Sequence, residues 1–199
     1  MSARDPASRE PTLVLVRHGA TEWSENGRHT SRTDLPLLPS GVERARALAP
    51  VLSQFHFARV LTSPLQRARQ TAECAGLAQQ AELVDDLREW DYGDYEGLTS
   101  PEIWAQRPDW KLWADGAPGG ETPEQVAVRA DRVIADAVSG DGPVAIFAHG
   151  HILRVLVARW IFERPFVGAA FKLSPATLSI LSHEHGYRVI ERWNMPLSE

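Results

Sequence analysis

Two short runs of the chain are apolar at nearly every position, and both stop on histidines. Residues 12–17 pass through Leu13, Val14, Leu15 and Val16 before Arg17, His18 and Gly19, and residues 143–148 do the same before His149, Gly150 and His151. Continuous, β-branched runs of this length predict central strands of a parallel sheet, covered on both faces. Between them the pattern changes to that of helices. Ser40 with Glu43 and Ser63 with Gln66 have capping-box spacing, which predicts helices reaching about residues 54 and 77, the second with Pro64 in its first turn. Residues 58–62 read as a short strand between them, and residues 83–86 as another. Thr122 with Gln125 repeats the capping spacing before an apolar stripe of Val126, Ala130, Val133, Ile134 and Ala137, and Gly140 closes that helix. A helix to about residue 161 follows His151, and residues 176–182 and 187–193, joined through Glu184, His185 and Gly186, predict a hairpin. Strands alternating with helices predict an α/β fold of three layers, α/β/α, around a mainly parallel central sheet.

Two segments stand outside this alternation. Residues 1–11 are polar and aperiodic and read as a mobile tail; residues 87–121 are rich in Trp, Tyr, Gly and Pro, with one short helix expected at Ser100-Pro101, and read as a functional excursion. A chain of 199 residues, 43% of them hydrophobic, can bury one compact core, so a single domain is expected over residues 12–199. The net charge of −5 offers no basic surface for nucleic acid or an anionic membrane, no apolar run approaches the roughly 20 residues of a membrane span, and the start lacks the apolar stretch of a secretory signal. The expected location is therefore the cytoplasm. The lone Cys74 excludes an internal disulfide and, within an apolar-looking helix, reads as packing. The Trp-rich and apolar C-terminal sequence is compatible with a homodimer and with a monomer alike.

The candidate chemistry gathers at strand ends, where ligands bind in open α/β sheets. The first strand delivers Arg17 and His18, the strand at 58–62 delivers Ser63 with Arg67 one helical turn on, and the strand at 143–148 delivers His149 and His151. Two arginines, imidazoles and exposed amides at helix N-termini form a cationic cup suited to a phosphoryl group. Each group has a plainer reading: a lone histidine is usually structural, and Arg67 with Arg69 would pair with Glu73 on a solvated helix face. No metal site is expected, because His149 and His151 on one strand would point to opposite faces and no carboxylate or cysteine sits at a recognised ligand spacing. There is no P-loop, and no arginine follows Cys74 at the spacing of a cysteine phosphatase cradle.

The run Leu15-Val16-Arg17-His18-Gly19-Ala20-Thr21-Glu22-Trp23 resembles the signature of the histidine phosphatase superfamily, which includes the cofactor-dependent phosphoglycerate mutases. The resemblance continues in order through Gly27 to Thr30, Thr33 to Leu37, Thr62 to Thr71, Leu87-Arg88-Glu89 with Gly93 and Glu96-Gly97, and Ala148-His149-Gly150. Within the superfamily, residues 87–97, Trp113 to Gly116, Gly120-Glu121-Thr122 and Ala148 to Arg154 look like the branch of sedoheptulose-1,7-bisphosphatase and small bacterial acid phosphatases. The resemblance implies a phosphoglycerate mutase-like fold and a metal-independent, cofactor-free phosphatase of small phosphate esters, sugar phosphates or bisphosphates among them. His18 would be the nucleophile, passing through a phosphohistidine; Arg17, Arg67 and His149 would neutralise the phosphoryl oxygens; Glu89 would be the general acid, its pKa raised by Trp90 and Tyr92. Substrate contacts are expected from Arg17, Ser24, His29, Thr30, Ser31, Arg67, Glu89, Tyr92, Gly150 and Arg154. Arg154 is read either as holding a second phosphate or sugar hydroxyl or as pairing with Glu163. Ser24 stands where many members have Asn, and Ser31 where many have Gly. A phosphoglycerate mutase and a non-catalytic phospho-ligand or phosphoprotein binding module are the competing readings; the short chain argues against the first, and the complete set with Glu89 against the second.

Overall fold

The computed structural model of the chain describes residues 11–196. The expected tail lies outside them but for Pro11. Strand β1 (Leu13–Arg17) is followed by helices α1 (Glu22–Asn26), α2 (Pro39–Arg46) and α3 (Ala49–Leu52), strand β2 (Arg59–Thr62), helix α4 (Gln66–Cys74) and strand β3 (Ala81–Leu83). Helices α5 (Ser100–Gln106), α6 (Leu112–Asp115) and α7 (Pro123–Ala137) precede strand β4 (Val144–Ala148), helix α8 (Gly150–Trp160) and strands β5 (Leu178–Glu184) and β6 (Tyr187–Met195). The strands make one sheet in the order β3-β2-β4-β1-β5-β6, parallel from β3 to β1 and antiparallel from β1 to β6.

The two apolar runs are the neighbouring central strands. Alternate side chains serve opposite layers: Leu13, Leu15, Val144 and Ile146 pack with Val126, Ile134, Leu153 and Leu156 of α7 and α8, while Val14, Val16, Ala145 and Phe147 pack with Leu48, Leu52 and Ala72. None of these strand side chains is more than 2% exposed. The chain leaves β1 toward the α2 and α4 layer and leaves β4 toward the α7 and α8 layer. The crevice that this divergence opens receives Arg17, His18 and His149 side by side.

Several local expectations are corrected. Ser40 does not cap α2: Leu38 takes the N-cap position, held extended because it precedes Pro39. The helix expected to reach residue 54 breaks before α3, since Pro50 has no N–H to return to the preceding turn. Leu65, not Ser63, caps α4, which ends at Cys74. The strand expected at 83–86 lies at Ala81–Leu83, with a 3-10 turn over Asp85–Leu87. The Thr122 capping box forms as expected, and Thr99 with Glu102 forms another at α5.

The turn carrying His18 is set by two backbones in contact. A Cβ on Gly19 would stand 2.6 Å from the Gly41 carbonyl oxygen, and one on Gly41 would run into the Ala20 carbonyl oxygen. Alanine inside a helix is favoured over glycine by about 1 kcal/mol, but overpacking costs about 1–3 kcal/mol, so the clash decides the sign. Gly41→Ala should lower the free energy of urea unfolding by about 1–2 kcal/mol; a variant as stable as wild type would show that the two backbones separate freely.

Candidate active site

The end of β1 places its two polar residues differently. Arg17 lines the cavity, donating from Nη1 to the Leu173 carbonyl, while its buried Nε has no hydrogen-bond partner among the described residues. His18 is 5% exposed and its Nδ1 lies 2.7 Å from the Gly19 carbonyl oxygen. A carbonyl can only accept, so Nδ1 carries the proton and Nε2 keeps its lone pair. Burial, then Arg67 and Arg17, hold the His18 pKa well below its ordinary value, leaving a neutral imidazole. Gly19 itself is held by its N–H on the Thr71 hydroxyl, which in turn donates to the Arg67 carbonyl.

Arg67 is wholly buried and makes no ion pair with Glu73; its Nε donates to His149 Nδ1 at 3.1 Å and its other nitrogens to the carbonyls of Thr30, Ser31 and Thr33. With Nδ1 accepting, neutral His149 bears its proton on Nε2 and donates it to the Ser63 hydroxyl at 2.8 Å. Burial, Arg67 and His18 push the His149 pKa well down. The charge expected of His149 is therefore absent at neutral pH. The His18 and His149 ring centroids stand 5.1 Å apart.

Glu89 departs furthest from expectation. Its carboxylate is 6% exposed and accepts from the backbone N–H groups of Trp90 at 2.9 Å, His151 at 2.9 and 3.1 Å, and Ile152 at 2.9 Å. Burial is the largest influence and pushes its pKa up, but His151, by ring and backbone contact, and His149 outweigh it and hold it well below the usual carboxylate range. His151 contributes most, and the N–H groups at the first turn of α8, with the helix dipole behind them, favour the anion as well. Trp90 and Tyr92 do flank it, yet their desolvation does not prevail. The helix amides expected to meet a phosphoryl group are thus partly spent inside the protein: those of α8 on Glu89 and that of Gln66 on Asp34.

A cavity of about 250 Å³ joins Arg17, His18, Ser24, His29, Thr30, Glu89, Tyr92, Gly150, His151 and Arg154; Arg67 and His149 are fully buried and do not line it. Ser31 is not among its walls: it is 4% exposed, and its N–H is held by Glu96. Ser24 does line the cavity, but its hydroxyl donates to the Thr21 carbonyl in the cap of α1. Arg154 does not pair with Glu163; it bonds to the Gly168 and Ala169 carbonyls and lies 4.6 Å over the Trp113 ring. His29 gives Nδ1 to the Leu98 carbonyl at 2.8 Å. Tyr92 meets His151 Nδ1 at 2.7 Å. His149 and His151 lie not on one strand but at the N-cap and in the first turn of α8. Ser63 and His151, which no substrate role was expected to include, are joined to the site by these bonds; their places at strand ends were the available signal. Among the described residues no group of three His, Cys, Asp or Glu is placed to hold a metal ion.

The profile of the histidine phosphatase superfamily (branch 1) matches residues 13–196. The chain is 39% identical over 184 residues to an acid phosphatase of Mycobacterium tuberculosis, spanning 90% of each. It is 37% identical over 185 residues to the sedoheptulose 1,7-bisphosphatase of Saccharomyces cerevisiae, spanning 77% of this chain and 68% of that one. Among solved structures, the product of an open reading frame of M. tuberculosis superimposes with a TM-score of 0.89 at 36% identity, over 96% of this chain and 100% of the other. A mycobacterial glucosyl-3-phosphoglycerate phosphatase in complex with VO3 gives 0.82 at 29% identity, over 92% and 98%.

His18, His29, His149 and His151 all have lowered pKa values, with burial the leading cause. A base whose native pKa lies below its unfolded value takes up its proton more readily in the unfolded chain, so stability is lost as pH falls below about 6.5. Replacing one such histidine removes one linked proton. In urea unfolding between about pH 6.5 and 5, His18→Asn should therefore flatten the dependence of unfolding free energy on pH by up to about 1.4 kcal/mol per pH unit. An unchanged slope would mean that His18 is charged in the native protein.

Proposed function

The chain belongs to the histidine phosphatase superfamily and is a phosphatase of phosphorylated metabolites, and from that premise we propose that it hydrolyses small phosphate monoesters through a phosphohistidine on His18, without a metal ion. One observation carries the reading. A neutral imidazole, its Nδ1 proton held by the Gly19 carbonyl, offers the Nε2 lone pair to a cavity lined by Arg17 and Glu89.

In the first step Nε2 attacks phosphorus as the ester P–O bond breaks, and the departing oxygen takes a proton from Glu89. In the second, water attacks the phosphohistidine, Glu89 takes the proton of that water, and phosphate leaves with the His18 lone pair restored. Arg17, with its unpartnered Nε, and the buried charge of Arg67 favour the anion throughout. Resting Glu89 is a carboxylate, so its proton arrives with the substrate: a phosphate monoester has a second pKa of about 6, and a second negative charge beside Glu89 raises the carboxyl pKa. The low pKa of His18 keeps the nucleophile unprotonated in the same acidic range.

The leaving group lies toward His29, Thr30, Tyr92 and Arg154. His29, its Nδ1 proton given to Leu98, presents Nε2 as an acceptor for a hydroxyl, and Arg154 presents a cation fixed over Trp113. A polyhydroxylated leaving group, such as a sugar phosphate with or without a second phosphate, fits both.

Phosphate release from p-nitrophenyl phosphate, sugar mono- and bisphosphates and 3-phosphoglycerate should survive EDTA and vanish in His18→Ala, with kcat/KM for the sugar phosphates rising as pH falls from about 8 to 6. Turnover of 3-phosphoglycerate only when primed by a bisphosphate would assign a mutase instead. Arg154→Ala should raise KM for bisphosphates at least about tenfold more than for monophosphates; equal effects on both would remove Arg154 from substrate recognition.

A further inference from the structure

Glu89 stands in a stretch, residues 88–92, that belongs to no helix or strand. Its carboxylate is held at α8, but its backbone is held from the other side, by two residues that do not line the active-site cavity. Arg129, midway along α7, donates to the carbonyls of Asp86, Arg88 at 3.0 Å and Glu89 at 3.5 Å. The same guanidinium closes a fork on Glu121 through Nε at 2.7 Å and Nη2 at 2.8 Å. Glu121 then grips the far side of Glu89: its carboxylate accepts from the Asp91 N–H at 2.9 Å, and its carbonyl accepts from the Trp90 indole at 3.0 Å. Its own N–H donates to the Asp91 carbonyl at 2.9 Å.

These side chains line a second depression of about 240 Å³ behind Glu89. Each arginine there already has a carboxylate partner, Arg32 with Asp91, Arg88 with Asp85 and Arg129 with Glu121, so the depression has no free charge to offer a ligand. The Arg129 and Glu121 side chains are only 13% and 21% exposed. A pair so far out of water contributes little net stability over a packed apolar pair. What arginine alone supplies is a planar fork of donors in fixed directions, and here it bonds to the carbonyls of Asp86, Arg88 and Glu89 while closing on Glu121.

We infer that the Glu121–Arg129 pair is a positioning device for the proton donor: without touching substrate, it sets where the Glu89 carboxyl group meets the departing oxygen. This rests on Glu89 being the acid, as proposed above. A misplaced acid harms only reactions that need one. An alkoxide leaves poorly unless protonated, whereas p-nitrophenolate, its charge delocalised, leaves unaided.

The test is kcat/KM, which reports transfer to His18, for a series of aryl phosphates of graded leaving-group acidity and one alkyl phosphate. Wild type, Glu89→Gln, Arg129→Lys and Glu121→Gln are compared. The expected result is a loss on the order of 100-fold for the alkyl phosphate in Arg129→Lys, shrinking to little or none for p-nitrophenyl phosphate. Glu89→Gln should show the same tilt, only steeper. A uniform loss across the series in Arg129→Lys, beside a steep Glu89→Gln, would overturn the positioning role and leave a merely structural one. A flat Glu89→Gln series would overturn Glu89 as the acid, and the inference with it. Should Arg129→Lys fail to fold, the near-isosteric Glu121→Gln decides by the same comparison.

Discussion

Arg67 is a charged group with no exposed surface and no carboxylate within ion-pairing distance among the described residues. Burying an unpaired charge costs several kcal/mol, and three carbonyl dipoles with one imidazole nitrogen offset it only in part. The residual positive field runs through the site. It helps keep His18 and His149 neutral, it selects the His149 tautomer by demanding an acceptor at Nδ1, and it fastens Thr30, Ser31 and Thr33 through their carbonyls. An anion bound in the cavity, as proposed above, would offset part of the remaining cost.

The site therefore divides its labour by charge. The arginines remain cations, the four histidines have lowered pKa values, and Glu89 is held as an anion by His151 and by the backbone N–H groups at the start of α8. Because Glu89 lies against the first turn of α8, the N–H groups of His151 and Ile152 are satisfied by a side-chain carboxylate. In the proposed reaction the acid would therefore rest as its conjugate base. Its protonation would then be coupled to the arrival of the phosphoryl group, joining the groups that bind and the group that donates in one electrostatic unit.

How much of this could be read along the chain depended on the range of the interaction. Apolar runs report burial on both faces, so β1 and β4 were legible, and with them the adjacency of Arg17, His18 and His149. Capping boxes were legible where a proline stood just inside the helix and not just before the serine: Thr122 and Gln125 form theirs ahead of Pro123, while Ser40 is displaced by the extended residue that Pro39 demands and Ser63 is held by His149. The pKa of Glu89 was misread because its neighbours in sequence, Trp90 and Tyr92, are the desolvating groups, whereas the deciding donors come from residues 151 and 152. Ser31 was misplaced for the same reason: Glu96, far along the chain, turns it away from the cavity. Arg129 carries no local signal at all, being one more arginine on a helix until the turn before Glu89 folds against it.

The excursion over residues 87–121 is joined to the rest of the site unevenly. Its two ends, at Glu89 and Glu121, are bolted to α7 and α8, while Trp110 and Trp113 between them reach the site through ring contacts with His29, His151 and Arg154. Exchanges at these two aromatics therefore act on the cavity at one remove, through the rings and the guanidinium that do line it. They would leave Glu121 on Arg129 and Asp91, and with it the backbone around Glu89. A lineage under this constraint would vary the middle of the excursion and keep its two ends.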